Sequence, residues 1–285
     1  MTDTITRACP AKVNLLLRVL AREADGYHGL ETLFCRIALA DTLRVDRTDT
    51  SIALTVDGAD LGRPEDNLAW RAADAVLAAT GRRFGVAMRL DKQIPAGSGL
   101  GGGSSDAAGA LLSVNQLANH AVPRAELLHM AARLGADVPF FVMEAPRALA
   151  WGHGQRMLVL PPLPAMPMLV LMPDIAVSTR EAYAWIDEIR DSTSSRGSVA
   201  LDLGVLGSWS DIARLAGNDF EMAVFGRHPA VRAGFEALAR TGPLLCRMSG
   251  SGSALVAVYR SERDRADAAM QLGARYGAVI FTNPS

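Results

Sequence analysis

Lysine is almost missing from this chain. Of its 29 basic residues only Lys12 and Lys92 are lysine, and all the others are arginine. Where a generic positive charge suffices the chain uses arginine, so each remaining lysine is a candidate for a task that needs a compact ammonium group. Cysteine is equally sparse. Cys9, Cys35 and Cys246 are odd in number, far apart and without a C-x-x-C spacing, which excludes a disulfide framework and a cysteine zinc site and predicts a reducing, cytoplasmic setting. The net charge is −1 with no basic block, so no nucleic-acid partner is expected. The first residues carry no apolar signal core. The apolar run 157–172 contains Pro161, Pro162, Pro164 and Pro167, which argues against a membrane span and reads as an interdomain crossing followed by a buried strand. There is no Gly-Lys pair, hence no P-loop, and neither His-Arg-Asp nor Asp-Phe-Gly of the protein kinases is present.

What the chain does have is Ile94-Pro-Ala-Gly-Ser-Gly-Leu-Gly-Gly-Gly-Ser-Ser-Asp-Ala-Ala108. Glycine fills five of the seven positions 97–103, two serines follow, and an Ala/Leu-rich helix begins. Glycines accept positive φ and let an oxyanion reach main-chain N–H groups. A helix starting directly after them adds its unpaired amides and the positive end of its dipole. The implied ligand is a polyphosphate. Gly97 to Gly102 satisfies G-x-G-x-x-G, but no acid occurs between Ala107 and Arg124, where a dinucleotide fold needs one.

The remaining pattern is α+β. Strands are expected at 13–19, 30–38, 43–46, 52–56 and 86–90, with helices at 67–80, 104–118 and 124–134. Beyond the boundary near residue 160, strands are expected at 168–172, 244–248, 253–259 and 278–282. Helices are expected at 178–189, near 208–216, at 229–240 and at 262–273. The stretch 191–198 reads as a mobile surface loop.

Four polar groupings are candidates for chemistry. Lys12 and Asn14 alternate on one strand face, which is either solvated or functional. Tyr27-His28 is either a solvated turn pair or an aromatic platform with a hydrogen-bonding neighbour. Asp137 follows a helix cap and reads first as a turn or cap former. Met248-Ser-Gly-Ser-Gly-Ser253 reads as an ordinary hairpin turn that can also help enclose a phosphate or substrate. Lys92 reads as surface in a turn.

Taken together, Pro10–Leu15, Ala24–His28, Ile94–Ala108, Leu134–Pro139, Gly217–Glu221 and Met248–Ser253 resemble, in order and spacing, the GHMP small-molecule kinases. The resemblance implies a ribosomal-protein-S5-domain-2-like N-terminal ATP-binding domain over 1–160 and a ferredoxin-like C-terminal domain over 161–285. It implies that Pro95, Ala96, Gly97, Ser98, Gly99, Leu100, Gly101, Gly102, Gly103, Ser104 and Ser105 wrap the phosphates of ATP. Asp137 would be the catalytic base and Lys12 its partner. Asn14, Tyr27, His28 and Thr179 would hold a small-molecule alcohol, and the Ala24–His28 and Gly135–Pro139 segments point to one linked to cytidine diphosphate. Mg2+ would arrive with ATP, since no all-protein metal cage is visible. The rival readings are a GHMP kinase acting on homoserine, mevalonate or a sugar, and a silent nucleotide sensor, which needs neither Lys12 nor Asp137. A monomer and a homodimer are both compatible with the sequence. Cys9, Ser98, Gly109 and Trp151–Gly154 depart from the commonest family pattern.

Overall fold

The computed structural model describes residues 3–23, 26, 28–189 and 202–285. Tyr27 and the expected loop 191–198 lie outside the described residues.

The N-terminal half is built on one long hairpin. β1 (Thr4–Arg22) runs antiparallel to β2 (His28–Thr48), paired from Thr4 opposite Asp46 to Arg22 opposite His28 with register shifts between Pro10 and Lys12, Asn14 and Leu16, and Val19 and Arg22. The two strands expected at 30–38 and 43–46 are therefore a single strand. Asp41, between the two expected segments, is buried and ion-paired in mid-strand. β3 (Ile52–Asp57), α1 (Leu68–Ala79) and β4 (Gly85–Asp91) form a parallel strand–helix–strand unit. α2 (Gly102–Leu117), α3 (Arg124–Leu134) and a short α4 (Val138–Val142) follow, and then the hairpin β5 (Arg147–Gly152) and β6 (Arg156–Leu160). The sheet order is β3-β4-β2-β5-β6, with β1 also on β2. Ala69, Val76, Leu111, Val114, Phe140 and Val142 pack against Phe34, Leu43, Val45 and Val86 to make the core under the helices.

The C-terminal half contains β7 (Met168–Met172), α5 (Thr179–Ile189), α6 (Trp209–Leu215), α7 (Phe220–Arg227) and α8 (Pro229–Arg240). β8 (Leu245–Met248), β9 (Leu255–Val258), α9 (Glu262–Leu272) and β10 (Ala278–Thr282) complete it. Its antiparallel sheet, ordered β10-β7-β9-β8, is ferredoxin-like. β7 is buried at every position, as its unbroken apolar run requires. The β5–β6 hairpin, α4 and α7 have no counterpart in the sequence expectations. The hairpin turns through positive φ at Gly152 and Gly154, and α4 and α7 lack a side-chain cap.

The two halves share a core that fixes the middle of β1. Ala11, Val13 and Leu15 pack with Met168, Val170, Leu245 and Val256. Leu17 N–H donates to the Gly217 carbonyl at 2.8 Å, Asp219 N–H returns a bond to the Leu17 carbonyl at 3.0 Å, and Asp219 Oδ2 accepts from Val19 N–H at 2.7 Å. With one face of β1 committed to this core, strand alternation aims Lys12 and Asn14 the other way, into a cleft of about 1050 Å3.

Candidate active site

The floor of the cleft is the glycine loop. Gly97, Gly99 and Gly101 have φ of +67°, +80° and +74°. Gly99 is also sterically required, because a Cβ there would stand 2.2 Å from the Ser249 carbonyl oxygen. Gly101 precedes α2 without any side-chain cap, so the amides of Gly102, Gly103 and Ser104 have no intrahelical acceptor. These amides line the cleft beside Pro95, Ala96, Gly97, Ser98 and Gly99. A Cβ on Gly103 would meet nothing within 4 Å. Two expected loop residues turn away: Leu100 is buried in the shared core, and Ser105 lines a separate cavity of about 310 Å3 behind α2.

Lys12 and Asn14 stand over the loop, and the alternative of a solvated face is excluded by their burial. Lys12 Nζ donates to Asn14 Oδ1 at 2.7 Å and to the Gly99 carbonyl at 3.0 Å, and lies 3.4 Å from Asp137 Oδ2. Asn14 Nδ2 donates to Thr32 Oγ1 at 2.7 Å. The Ser249 hydroxyl ties the β8–β9 turn to the Gly99 carbonyl at 3.0 Å. Asp137 sits at the start of α4 but its carboxylate makes no cap bond, so it is left to face the lysine. The acid expected as a turn or cap former is thus paired with Lys12 in the cleft.

Lys92 is a correction. Expected on the surface, it is buried and donates to both Asp41 Oδ2 and Asp106 Oδ2, the latter at 2.7 Å. Burial, opposed by Lys92 and reinforced by Asp41, pushes the Asp106 carboxyl up to about 7. Lys92 also lines the cleft, so both lysines of the chain border the glycine loop.

The opposite wall comes from α5 and β2. The His28 and Tyr183 rings stack with centroids 5.2 Å apart and planes inclined by 12°, and Phe220 meets Tyr183 edge-on. His28 Nε2 lies 2.7 Å from Asp187 Oδ1. Thr179 Oγ1 and Ser251 Oγ are 2.9 Å apart, joining α5 to the β8–β9 turn. Burial and the Asp137 charge raise the Tyr183 phenol. Tyr183 and Asp187 were not anticipated, although their spacing from Thr179 puts all three on one helix face. Arg180, His153 and Gly154 complete the rim.

A cleft floored by a glycine loop at a helix start, with a lysine–carboxylate pair above it, belongs to the GHMP kinase class. Residues 67–145 match the GHMP kinases N terminal domain and residues 198–278 match GHMP kinases C terminal. A relative in Solibacter usitatus (strain Ellin6076), 4-diphosphocytidyl-2-C-methyl-D-erythritol kinase, is 42% identical over 88% of this chain and 79% of its own length. The enzyme of that name in Geotalea daltonii is 37% identical over 94% of both chains. A solved 4-(cytidine 5'-diphospho)-2C-methyl-D-erythritol kinase superposes with a TM-score of 0.84 at 35% identity, over 99% of this chain and 100% of that one. A homoserine kinase from Cytophaga hutchinsonii shares the fold, with a TM-score of 0.73 at 20% identity over 100% of this chain and 96% of its own. The chain belongs to the 4-diphosphocytidyl-2-C-methyl-D-erythritol kinase family, and is an ATP-dependent kinase of the GHMP class with a small-molecule substrate. Among the described residues no helix is long and apolar enough to cross a membrane.

Proposed function

We propose that the chain transfers the γ-phosphoryl group of ATP to the 2-hydroxyl of 4-diphosphocytidyl-2-C-methyl-D-erythritol, a step in non-mevalonate isoprenoid precursor synthesis. The observation that carries the chemical part is the Lys12–Asp137 pair, 3.4 Å apart over a loop of unpaired helix amides. Phosphoryl transfer to an alcohol depends chiefly on positioning and charge stabilisation. Asp137 orients the acceptor hydroxyl and accepts its proton as the phosphoryl group leaves ADP. Lys12 pairs with that carboxylate and faces charge developing on the phosphoryl oxygens. Asn14 and the Gly99 carbonyl hold the ammonium in place from two sides.

The Gly97–Ser104 segment cradles the ATP phosphates, with Leu100 and Ser105 serving through their backbone and helix position. His28, Tyr183 and Thr179 form the wall for the cytidine diphosphate end, and Tyr27 keeps its assignment from the sequence as a further substrate contact. Residues 1–160 then act as the ATP-binding domain and 161–285 as the cover over the acceptor, in a cytoplasmic enzyme without a nucleic-acid partner. Mg2+ fits as a passenger on the nucleotide. Among the described residues no group of three or more His, Cys, Asp or Glu could hold a metal, so the phosphate oxygens of the nucleotide itself would be its chief ligands. Bound there, Mg2+ would neutralise phosphate charge.

The test is ADP release with Mg-ATP and the cytidylyl substrate, beside homoserine and mevalonate. Turnover with the cytidylyl compound alone is expected. Turnover with a control compound instead refutes the substrate assignment, and ATP binding without any turnover favours a sensor.

A further inference from the structure

Two carboxylates share one ammonium beneath the phosphate loop. Asp41 on β2, Asp106 on α2 and Lys92 just after β4 are all buried. The two acids are unequally served. Asp41 Oδ1 accepts from the amides of Gln93 at 2.6 Å and Ile94 at 2.7 Å, in addition to the bond from Lys92 to Oδ2. Asp106 Oδ2 accepts from Lys92, but its buried Oδ1 has no partner among the described residues. One positive charge cannot compensate two buried negative ones, and the acid with fewer donors holds the proton. Among the described residues, β1 brings two further groups toward this cluster, Cys9 and Arg7. The Cys9 thiol is raised by burial and then by Asp106 and Asp41, so it stays neutral, and Arg7 is paired with Glu144 at 2.9 Å.

This cluster adjoins the place where phosphates are read to sit. Lys92 lines the cleft, with Nζ 3.2 Å from the point a Cβ on Gly102 would occupy. Asp106 lies in the same first turns of α2 as Ser104. We infer that Asp106 is a positioning residue whose proton is taken up together with the nucleotide. When Asp106 is protonated, the two acids together carry a single charge, and Lys92 is free to lean toward the polyphosphate. When Asp106 is ionised, it holds Lys92 back and opposes the incoming anion. The inference rests on the reading that this loop binds the phosphates of ATP.

The sign follows from linkage. A polyanion beside Lys92 favours the protonated acid, so binding takes up protons and weakens as pH rises through the titration of Asp106. Isothermal titration of Mg-ADP into the whole protein, in two buffers of different ionisation heat near pH 7, counts those protons. The wild type should take up a measurable fraction of a proton more than Asp106→Asn, which has the same shape and no charge. Its Kd for ADP should rise about tenfold more than the variant's between pH 6 and pH 8.5. Equal proton counts with parallel pH profiles would overturn the inference while leaving the loop's role intact. Failure of the wild type to bind ADP would instead remove the reading on which it rests. Carbon-13 NMR of the aspartate carboxyls in the wild type needs no variant. One buried aspartate titrating near neutrality, and shifting upward with ADP, is expected; no such aspartate means that Asp106 has no such role.

Discussion

Replacing Gly99 by alanine adds one methyl group at the point where the glycine loop touches the β8–β9 turn. The new carbon would stand 2.2 Å from the Ser249 carbonyl oxygen and 3.2 Å from that of Gly252, both of them backbone atoms that cannot rotate aside. At φ +80° alanine also incurs about 1–2 kcal/mol of left-handed strain. Relief requires the loop and the turn to part by about 1 Å, which lengthens the bonds from Lys12 Nζ and Ser249 Oγ to the Gly99 carbonyl, both now 3.0 Å. At about 1 kcal/mol for each bond, the total is roughly 3–4 kcal/mol. A displacement of that size in the group that orients the ammonium is expected to lower kcat by about a hundredfold.

Gly103→Ala is the matched control. Its Cβ meets nothing within 4 Å and its backbone is helical, so the variant should be equal to the wild type or about 1 kcal/mol more stable. Gly103 lines the cleft, however, so the methyl group should raise the KM for ATP. Urea unfolding and ADP release on both variants give the comparison. Gly99→Ala within about 0.5 kcal/mol and twofold of the wild type would refute the reasoning, because nothing else in the loop can absorb a contact that short.

Asp137→Ala should reduce turnover by about a thousandfold or more while changing ADP affinity less than threefold, measured by steady-state kinetics and calorimetry; retained turnover would remove the base assignment. Gly109→Ala alone should destabilise by about 1–3 kcal/mol, since its Cβ would lie 2.5 Å from Cys9 Sγ. The double variant Cys9→Ala/Gly109→Ala should recover that loss and add the helix preference of alanine, which thermal unfolding of the four-member cycle would show.

What could be read from the sequence was whatever is local. The glycine loop announces itself because its amides, its positive-φ positions and its helix are contiguous. The alternation of Lys12 and Asn14 is a two-residue signal, although which face it marks depends on the C-terminal sheet that covers the other side of β1. Lys92 was misread because Asp41 is 51 positions away, and nothing near residue 92 reports that a strand 50 residues earlier passes beside it. Tyr183 and Asp187 carry no signature of their own; they become a wall only when His28 arrives from β2. Cys9 and Gly109 each look like an isolated departure. In the fold they are one steric exchange, in which the sulfur occupies the volume that a helix methyl would fill.

The scarcity of lysine is therefore the more informative observation, although the reading of Lys92 as surface did not use it: both lysines are buried. A guanidinium is broad and planar, whereas an ammonium is a point charge on a flexible stem. Lys12 Cγ and Cε already lie 3.1 Å from the position of a Cβ on Gly101, and Nζ is held between Asn14, the Gly99 carbonyl and Asp137. A planar fork has no room to turn there. Lys92 is enclosed by two carboxylates and the first turn of α2, again with space for one nitrogen. A chain that uses arginine at every other basic position keeps lysine at the two places where the charge must fit beneath or above a loop of glycines. The compactness of the ammonium and the absence of side chains in the loop are thus two aspects of one packing requirement, the close approach of a positive charge to main-chain amides at a helix start.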